Sequence, residues 1–68
     1  MNADTDTPPR MVADVGGTHS RIALFDPATL EFRALGTYLN SDFRRLQDVI
    51  DCWLQALREP APQYGCIA

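Results

Sequence analysis

The sequence predicts an α/β fold with the element order β-β-β-α-β. Three observations carry that reading. Between Met11 and Tyr38, three short stretches of strand character are separated by turn signals at Gly16-Gly17 and Asp26-Pro27-Ala28-Thr29. From Phe43 onward, apolar residues recur at spacings of three and four, the period of one helix face. After Pro60-Ala61-Pro62 a last apolar run, Tyr64–Ala68, begins.

The first strand is Met11–Val15, apolar except for Asp14. The second is His19–Phe25, where Arg21 precedes the run Ile22-Ala23-Leu24-Phe25. Asp and Pro suit the opening positions of a type I turn, so the chain is expected to reverse at Asp26–Thr29. Glu31–Tyr38 is the third strand, with Phe32, Ala34 and Tyr38 on one parity. Short turns between three strands make an antiparallel meander. Any of Asn40, Ser41 and Asp42 can cap a helix by accepting from its orphan amides. The stripe that follows is Phe43, Leu46, Val49, Ile50, Trp53, Leu54 and Leu57, opposite Arg44, Arg45, Gln47, Asp48, Asp51 and Gln55. A stripe this regular, Trp53 included, is core. Arg58 suits the negative helix end and Pro60 stops it. The strand after a crossover helix is expected to run parallel to an earlier strand.

Length and charge exclude several classes of function. The chain has 68 residues, one small domain at most, and buries only about 60% of its unfolded surface. Net charge is −3, with six scattered arginines and no lysine, which argues against a surface that tracks nucleic-acid phosphates. No apolar run approaches the roughly 20 residues that span a bilayer. Residues 1–10, MNADTDTPPR, lack the basic start and apolar core of a secretory signal and read as a flexible tail, leaving the cytoplasm as the expected location. Cys52 and Cys66 have no C-x-x-C spacing and no histidine cluster, so they are expected to be reduced, inert thiols.

The chemistry concentrates in residues 12–21, VADVGGTHSR. One reading is a two-residue hairpin, in which glycine supplies the positive φ of a primed turn. The other is a phosphate cradle. A carboxylate inside an apolar strand is costly without a partner, and Asp14, just before the turn, can project from the strand end. Two glycines without Cβ atoms let backbone amides approach a phosphate, and Thr18 adds a hydroxyl. Asp14 beside phosphate oxygens becomes favourable when Mg²⁺ lies between them. The stretch is not a Walker loop, because G-x-x-x-x-G-K-[ST] is absent and a strand follows the turn.

Val12–Leu24 resembles the N-terminal phosphate motif of bacterial glucokinases, members of the hexokinase/actin-like ATPase superfamily, which read D-V-G-G-T-N-A-R there. Thr37-Tyr38 ahead of a helix containing Val49-Ile50, and Tyr64-Gly65-Cys66-Ile67-Ala68, are similar to the same family, so the likeness runs from Met11 to the last residue. His19 stands where the family has Asn and Ser20 where it has Ala; Arg21 matches. The resemblance implies the opening part, residues 11–68, of an actin-like ATPase (ribonuclease H-like) domain, incomplete because a full domain adds at least another strand and helix. It implies that Ala13, Asp14, Val15, Gly16, Gly17 and Thr18 form the ATP phosphate loop, with Asp14 orienting Mg²⁺ or its water. It implies ATP and glucose as ligands of the parent protein and allows a homodimer of it. No catalytic residue is assigned: in the family the base, sugar-binding residues and adenosine pocket lie further along, and the isolated chain is expected to be inactive. The chain stops inside an apolar strand, as a piece of a longer kinase would. Two other readings stay open: a different sugar kinase or ATPase of the superfamily, and a non-enzymatic interaction module whose sheet a partner completes.

Overall fold

The computed structural model describes residues 8–68. The tail expected over residues 1–10 falls outside them at residues 1–7. Pro8 and Pro9 adopt no regular structure, and the first strand, β1, begins at Arg10 and runs Arg10–Val15. It is followed by β2, His19–Asp26, β3, Glu31–Leu39, a 3₁₀ turn at Asn40–Asp42, the helix α1, Leu46–Ala56, and β4, Gly65–Ile67. The sheet order is β3-β2-β1-β4. β1, β2 and β3 form the antiparallel meander. β4 pairs in parallel with β1, Met11 opposite Gly65 and Ala13 opposite Ile67, as a strand reached through a crossover helix should.

Strand alternation sorts side chains onto two faces. Met11, Ala13, Ile22 and Leu24 point to one, where they pack against Val49 and Trp53 of α1. Ile22 and Leu24 are sealed from solvent, and Val49 and Trp53 nearly so. The central part of the predicted stripe is the packed face of α1, where Leu46, Ile50 and Leu54 are half-buried against this core, and Phe43 and Leu57, just outside the helix, pack there too. Val12, Asp14, Arg21, Ala23 and Phe32 share the opposite face, beside an open apolar groove of about 450 Å³.

Three local features depart from the sequence reading. First, Phe32 and Tyr38 do not share a face. The β2–β3 register shifts between Ile22 and Leu24, so Ala23 faces both Ala34 and Leu35. The extra residue is a β-bulge, and it inverts parity beyond it. Phe32 stacks on Phe25 with ring centroids 5.1 Å apart, while Tyr38 meets Phe43 edge-on at 5.9 Å on the helix side. Ala34 takes φ 57° at the bulge, and its carbonyl accepts a 2.8 Å bond from Trp53 Nε1–H.

Second, the helix starts at Leu46 rather than Phe43, and none of Asn40, Ser41 or Asp42 caps it. The residue before it, Arg45, is extended and makes no side-chain cap bond. Asn40 is engaged elsewhere, and the Phe43 amide closes instead on the Asn40 carbonyl at 3.1 Å. Arg58 lies beyond the helix, which ends at Ala56. Third, the Asp26 reversal is one residue wider than a type I turn. The Leu30 amide donates to the Asp26 carbonyl at 2.8 Å, and Leu30 takes φ 59°. The Asp26 carboxylate accepts from the Ala28 amide at 3.0 Å, a local Asx-type brace.

A cationic staple ties this turn to the segment after α1. Arg33 donates to Asp26 Oδ2 at 2.8 Å and, through Nε and Nη2, to Glu59 at 2.8 and 2.7 Å. Hydrogen bonding to Arg33 holds both carboxyls below their ordinary range. The Arg33 guanidinium is correspondingly raised, by Glu59 first and then Asp26. Burial pushes the Tyr38 hydroxyl up. Cys52 and Cys66 are free and exposed.

Candidate functional site

The end of β1, the β1–β2 loop and the start of β2 form one small surface. Asp14 is on the sheet face away from α1, in register with Arg21. Its Oδ2 accepts from Arg21 Nη2 at 3.2 Å, and both side chains are about two-thirds exposed, 65% and 63% respectively. The carboxylate has the partner that its place in an apolar strand demands, yet stays open to water. An exposed pair of this kind adds little to stability, so Asp14 can exchange Arg21 for another cation. Asp14, Gly16, His19, Arg21 and Thr37 line an open groove of about 530 Å³.

The loop is a tight hairpin closed by a 2.9 Å bond from the Gly16 amide to the His19 carbonyl. Two-residue hairpins of this kind favour primed turns with positive φ, yet neither Gly16 nor Gly17 has one. The glycines are therefore not required by a left-handed backbone. A Cβ at Gly16 would lie 3.1 Å from the His19 carbonyl, whereas one at Gly17 would meet nothing within 4 Å. Gly16 is fitted to its own hairpin; Gly17 faces open space. Among the described residues the amides of Gly17 and Thr18 donate to no protein group, while the Gly16 amide is used.

The carbonyls are fastened by Asn40. Its main-chain N–H donates to the Thr18 carbonyl at 2.8 Å, and its Nδ2 donates to the Gly16 carbonyl at 2.7 Å. Its Oδ1 accepts from Ser20 Oγ at 2.6 Å, and Ser20 is only 1% exposed. Of the expected site residues, Gly17 and Thr18 carry the free amides, and Asp14 and Gly16 line the groove. Ala13 and Val15 have the other parity. Ala13 is buried in the core, and both are tied to the residue after β4: the Val15 amide donates to the Ala68 carbonyl at 2.9 Å, and the Ala13 carbonyl accepts from the Ala68 amide at 2.8 Å.

Among the described residues no group of three or more His, Cys, Asp or Glu converges to hold a metal. Among the described residues, a divalent ion at Asp14 would not meet a cluster of three or more such ligands. That suits Mg²⁺, which keeps waters and is commonly held by one or two carboxylates plus phosphate oxygens.

A family model described as "Glucokinase" matches residues 11–68, the whole chain but for its first ten residues. The chain belongs to the glucokinase family. The glucokinase of Pectobacterium atrosepticum is 41% identical over 58 residues, covering 85% of this chain and 18% of that protein. The glucokinase of Chromohalobacter salexigens is 29% identical over 62 residues. The chain thus spans about a fifth of the length of the curated relatives it matches. A crystal structure of glucokinase from an Antarctic psychrotroph superposes with a TM-score of 0.76 at 35% identity, over 93% of this chain and 21% of that one. The mixed sheet and crossover helix therefore match a solved glucokinase. No helix among the described residues is long and apolar enough to cross a membrane.

Sequence reasoning reached the Asp-Gly-Gly-Thr loop of this glucokinase-family chain but missed Asn40 and Ser20. The first read as one of three helix caps, the second as a mild exchange for Ala. Their bond joins residues 20 apart, and no local pattern signals it. Thr37 lines the groove as well, and nothing in its sequence neighbourhood marks it for that place.

Proposed function

We propose that this segment supplies the Mg²⁺–phosphate loop of an ATP-dependent glucokinase, which transfers the terminal phosphoryl group of ATP to glucose, giving glucose 6-phosphate and ADP. The observation that carries the reading is the pair of amides, Gly17 and Thr18, from which no described residue accepts, on the loop that follows the exposed Asp14 carboxylate, in a chain of the glucokinase family. Two adjacent N–H groups from which no described residue accepts can form a small anion-binding concavity. The Thr18 hydroxyl adds a third donor, and Gly17 leaves room for close approach. Asp14 would hold Mg²⁺ or its water, and Arg21 balances the carboxylate when no metal is there. When bound, Mg²⁺ neutralises phosphate charge and fixes the orientation of the phosphate chain. The chain's own residues bind and orient; glucose, the adenosine and the base for the attacking hydroxyl require residues outside this segment. The reading places the full-length protein in the cytoplasm with its nucleotide, and a homodimer is compatible with it.

The test is a chimera in which this segment replaces the matching 58-residue stretch of the Pectobacterium atrosepticum glucokinase. Glucose-dependent ADP release is expected, and Asp14→Asn is expected to reduce it by at least ~10²-fold, since a metal-orienting charge acts directly on the transferred group. A D14N chimera as active as its parent chimera overturns the reading.

A further inference from the structure

We propose that Asn40, locked by the buried hydroxyl of Ser20, is the positioning residue that aims the Gly17 amide at a bound phosphate. The proposal rests on the phosphate-loop reading above and extends it to a residue outside the loop.

The argument starts from the peptide plane. A trans peptide fixes its C=O and N–H in opposite directions. The Gly16 carbonyl and the Gly17 amide belong to one such plane, so whatever holds the first directs the second. Asn40 Nδ2 holds the Gly16 carbonyl at 2.7 Å, which turns the Gly17 N–H away from Asn40. The Asn40 main-chain N–H secures the other end of the loop at the Thr18 carbonyl, 2.8 Å away. The loop needs such a brace because it lacks positive φ, and an unprimed two-residue turn does not match the twist of its strands.

Ser20 anchors the other side of the Asn40 amide. Ser20 is 1% exposed, and its hydroxyl donates to Oδ1 at 2.6 Å. The Gly16 carbonyl can only accept and so takes Nδ2, while the hydroxyl, able to donate or accept, donates to the oxygen that remains. Carboxamide and hydroxyl form a two-residue unit: Ser20 anchors Asn40, and Asn40 orients the loop. This gives a role to the buried hydroxyl of Ser20. It also explains why Asn40 does not cap α1.

The test uses the whole 68-residue chain, labelled with ¹⁵N, and magnesium pyrophosphate as the probe. In the wild type, the Gly17 and Thr18 amides are expected to be as rigid as the flanking strands, by heteronuclear NOE, and to shift on titration. Asn40→Asp is the discriminating variant. It keeps size and can still accept from Ser20, but it has no N–H for Gly16 and places a charge against that carbonyl. N40D is expected to mobilise Gly17 and weaken pyrophosphate binding about three- to tenfold, the range one lost hydrogen bond supports. Ser20→Ala is expected to give a smaller effect in the same direction. Dispersed resonances of the core residues Ile22, Leu24 and Trp53 report that each variant is folded. A wild-type chain with mobile Gly17 and Thr18 amides overturns the proposal, as does an N40D chain with rigid ones and unchanged affinity. Rigid wild-type amides that N40D loosens but pyrophosphate does not shift support the brace and overturn the phosphate-loop reading instead.

Discussion

Gly17→Ala separates what the chain needs to fold from what a phosphate would need to bind. Gly17 has no positive φ, and an added Cβ would touch nothing within 4 Å. Folding therefore gains from the substitution. Replacing glycine where alanine fits narrows the unfolded ensemble and stabilises by about 0.4–1 kcal/mol. In a domain of this size that raises Tm by roughly 2–8 °C. Ligand binding should move the other way. The methyl group enters the space beside the outward amide and blocks its bond to a charged oxygen, a loss of about 1.5–3 kcal/mol. At 1.4 kcal/mol per decade, kcat/KM for ATP in the glucokinase chimera should fall about 10- to 150-fold. Gly16→Ala is the control. Its Cβ would press on the His19 carbonyl at 3.1 Å, straining the bond that closes the hairpin, so stability and activity should fall together. Thermal unfolding of the chain and steady-state kinetics of the chimera give the two readouts. A G17A protein that is more stable and fully active means Gly17 faces no phosphate. One that is destabilised means the space beside it is not open.

Other consequences can be measured on the chain itself. Trp53→Phe keeps most of the buried ring but deprives the Ala34 carbonyl of its donor; it should cost about 1–3 kcal/mol in urea unfolding, and a cost near zero would remove Trp53 from the bulge. Asp26 and Glu59 are both held below their ordinary 3.8 and 4.5 by Arg33. The unfolded chain then binds more protons through the acid range, so the staple's contribution is complete above about pH 5 and disappears as pH falls through the depressed values. Arg33→Gln should flatten the acid limb of a Tm–pH profile, and an unchanged limb would assign the acid sensitivity elsewhere. Leu30 is 75% exposed at φ 59°; Leu30→Gly should stabilise by up to ~1 kcal/mol by removing left-handed strain, and a loss of stability would show that its side chain packs. The purified 68-residue chain should form no glucose 6-phosphate from glucose and MgATP, and detectable product would overturn the division of labour proposed for the site.

What was legible in the sequence is what depends on neighbours in sequence. The three- and four-residue spacing from Leu46 to Leu54 marks the buried face of α1 because helix geometry brings those positions together wherever the helix lies. The meander was legible because short turns allow little else, and the parallel placement of β4 followed from the helix between. Asp14 was legible as an anomaly: a charge in an apolar strand needs a reason, and here it is the edge of an open groove with Arg21 opposite.

What was not legible depends on contacts across the fold. Parity counting put Phe32 and Tyr38 on one face, and nothing local announces that Ala34 inserts a bulge between them. The reason is tertiary, since Trp53 reaches from α1 to take the Ala34 carbonyl. Asn40 failed for the same physical reason. Propensity places asparagine at helix caps because a short amide can serve nearby backbone groups, but propensity ranks only local partners. In the folded chain the Asn40 amide has a better-placed pair, a buried hydroxyl and a loop carbonyl 20 and 24 residues away. Satisfying those groups outweighs a cap that solvent can replace, because a buried donor without an acceptor costs more than an exposed helix end. The 3₁₀ turn at Asn40–Asp42 and the extended Phe43 and Arg45 separate Asn40 from the helix. The residue that local rules assign to a cap is thus the one that holds the glycine loop.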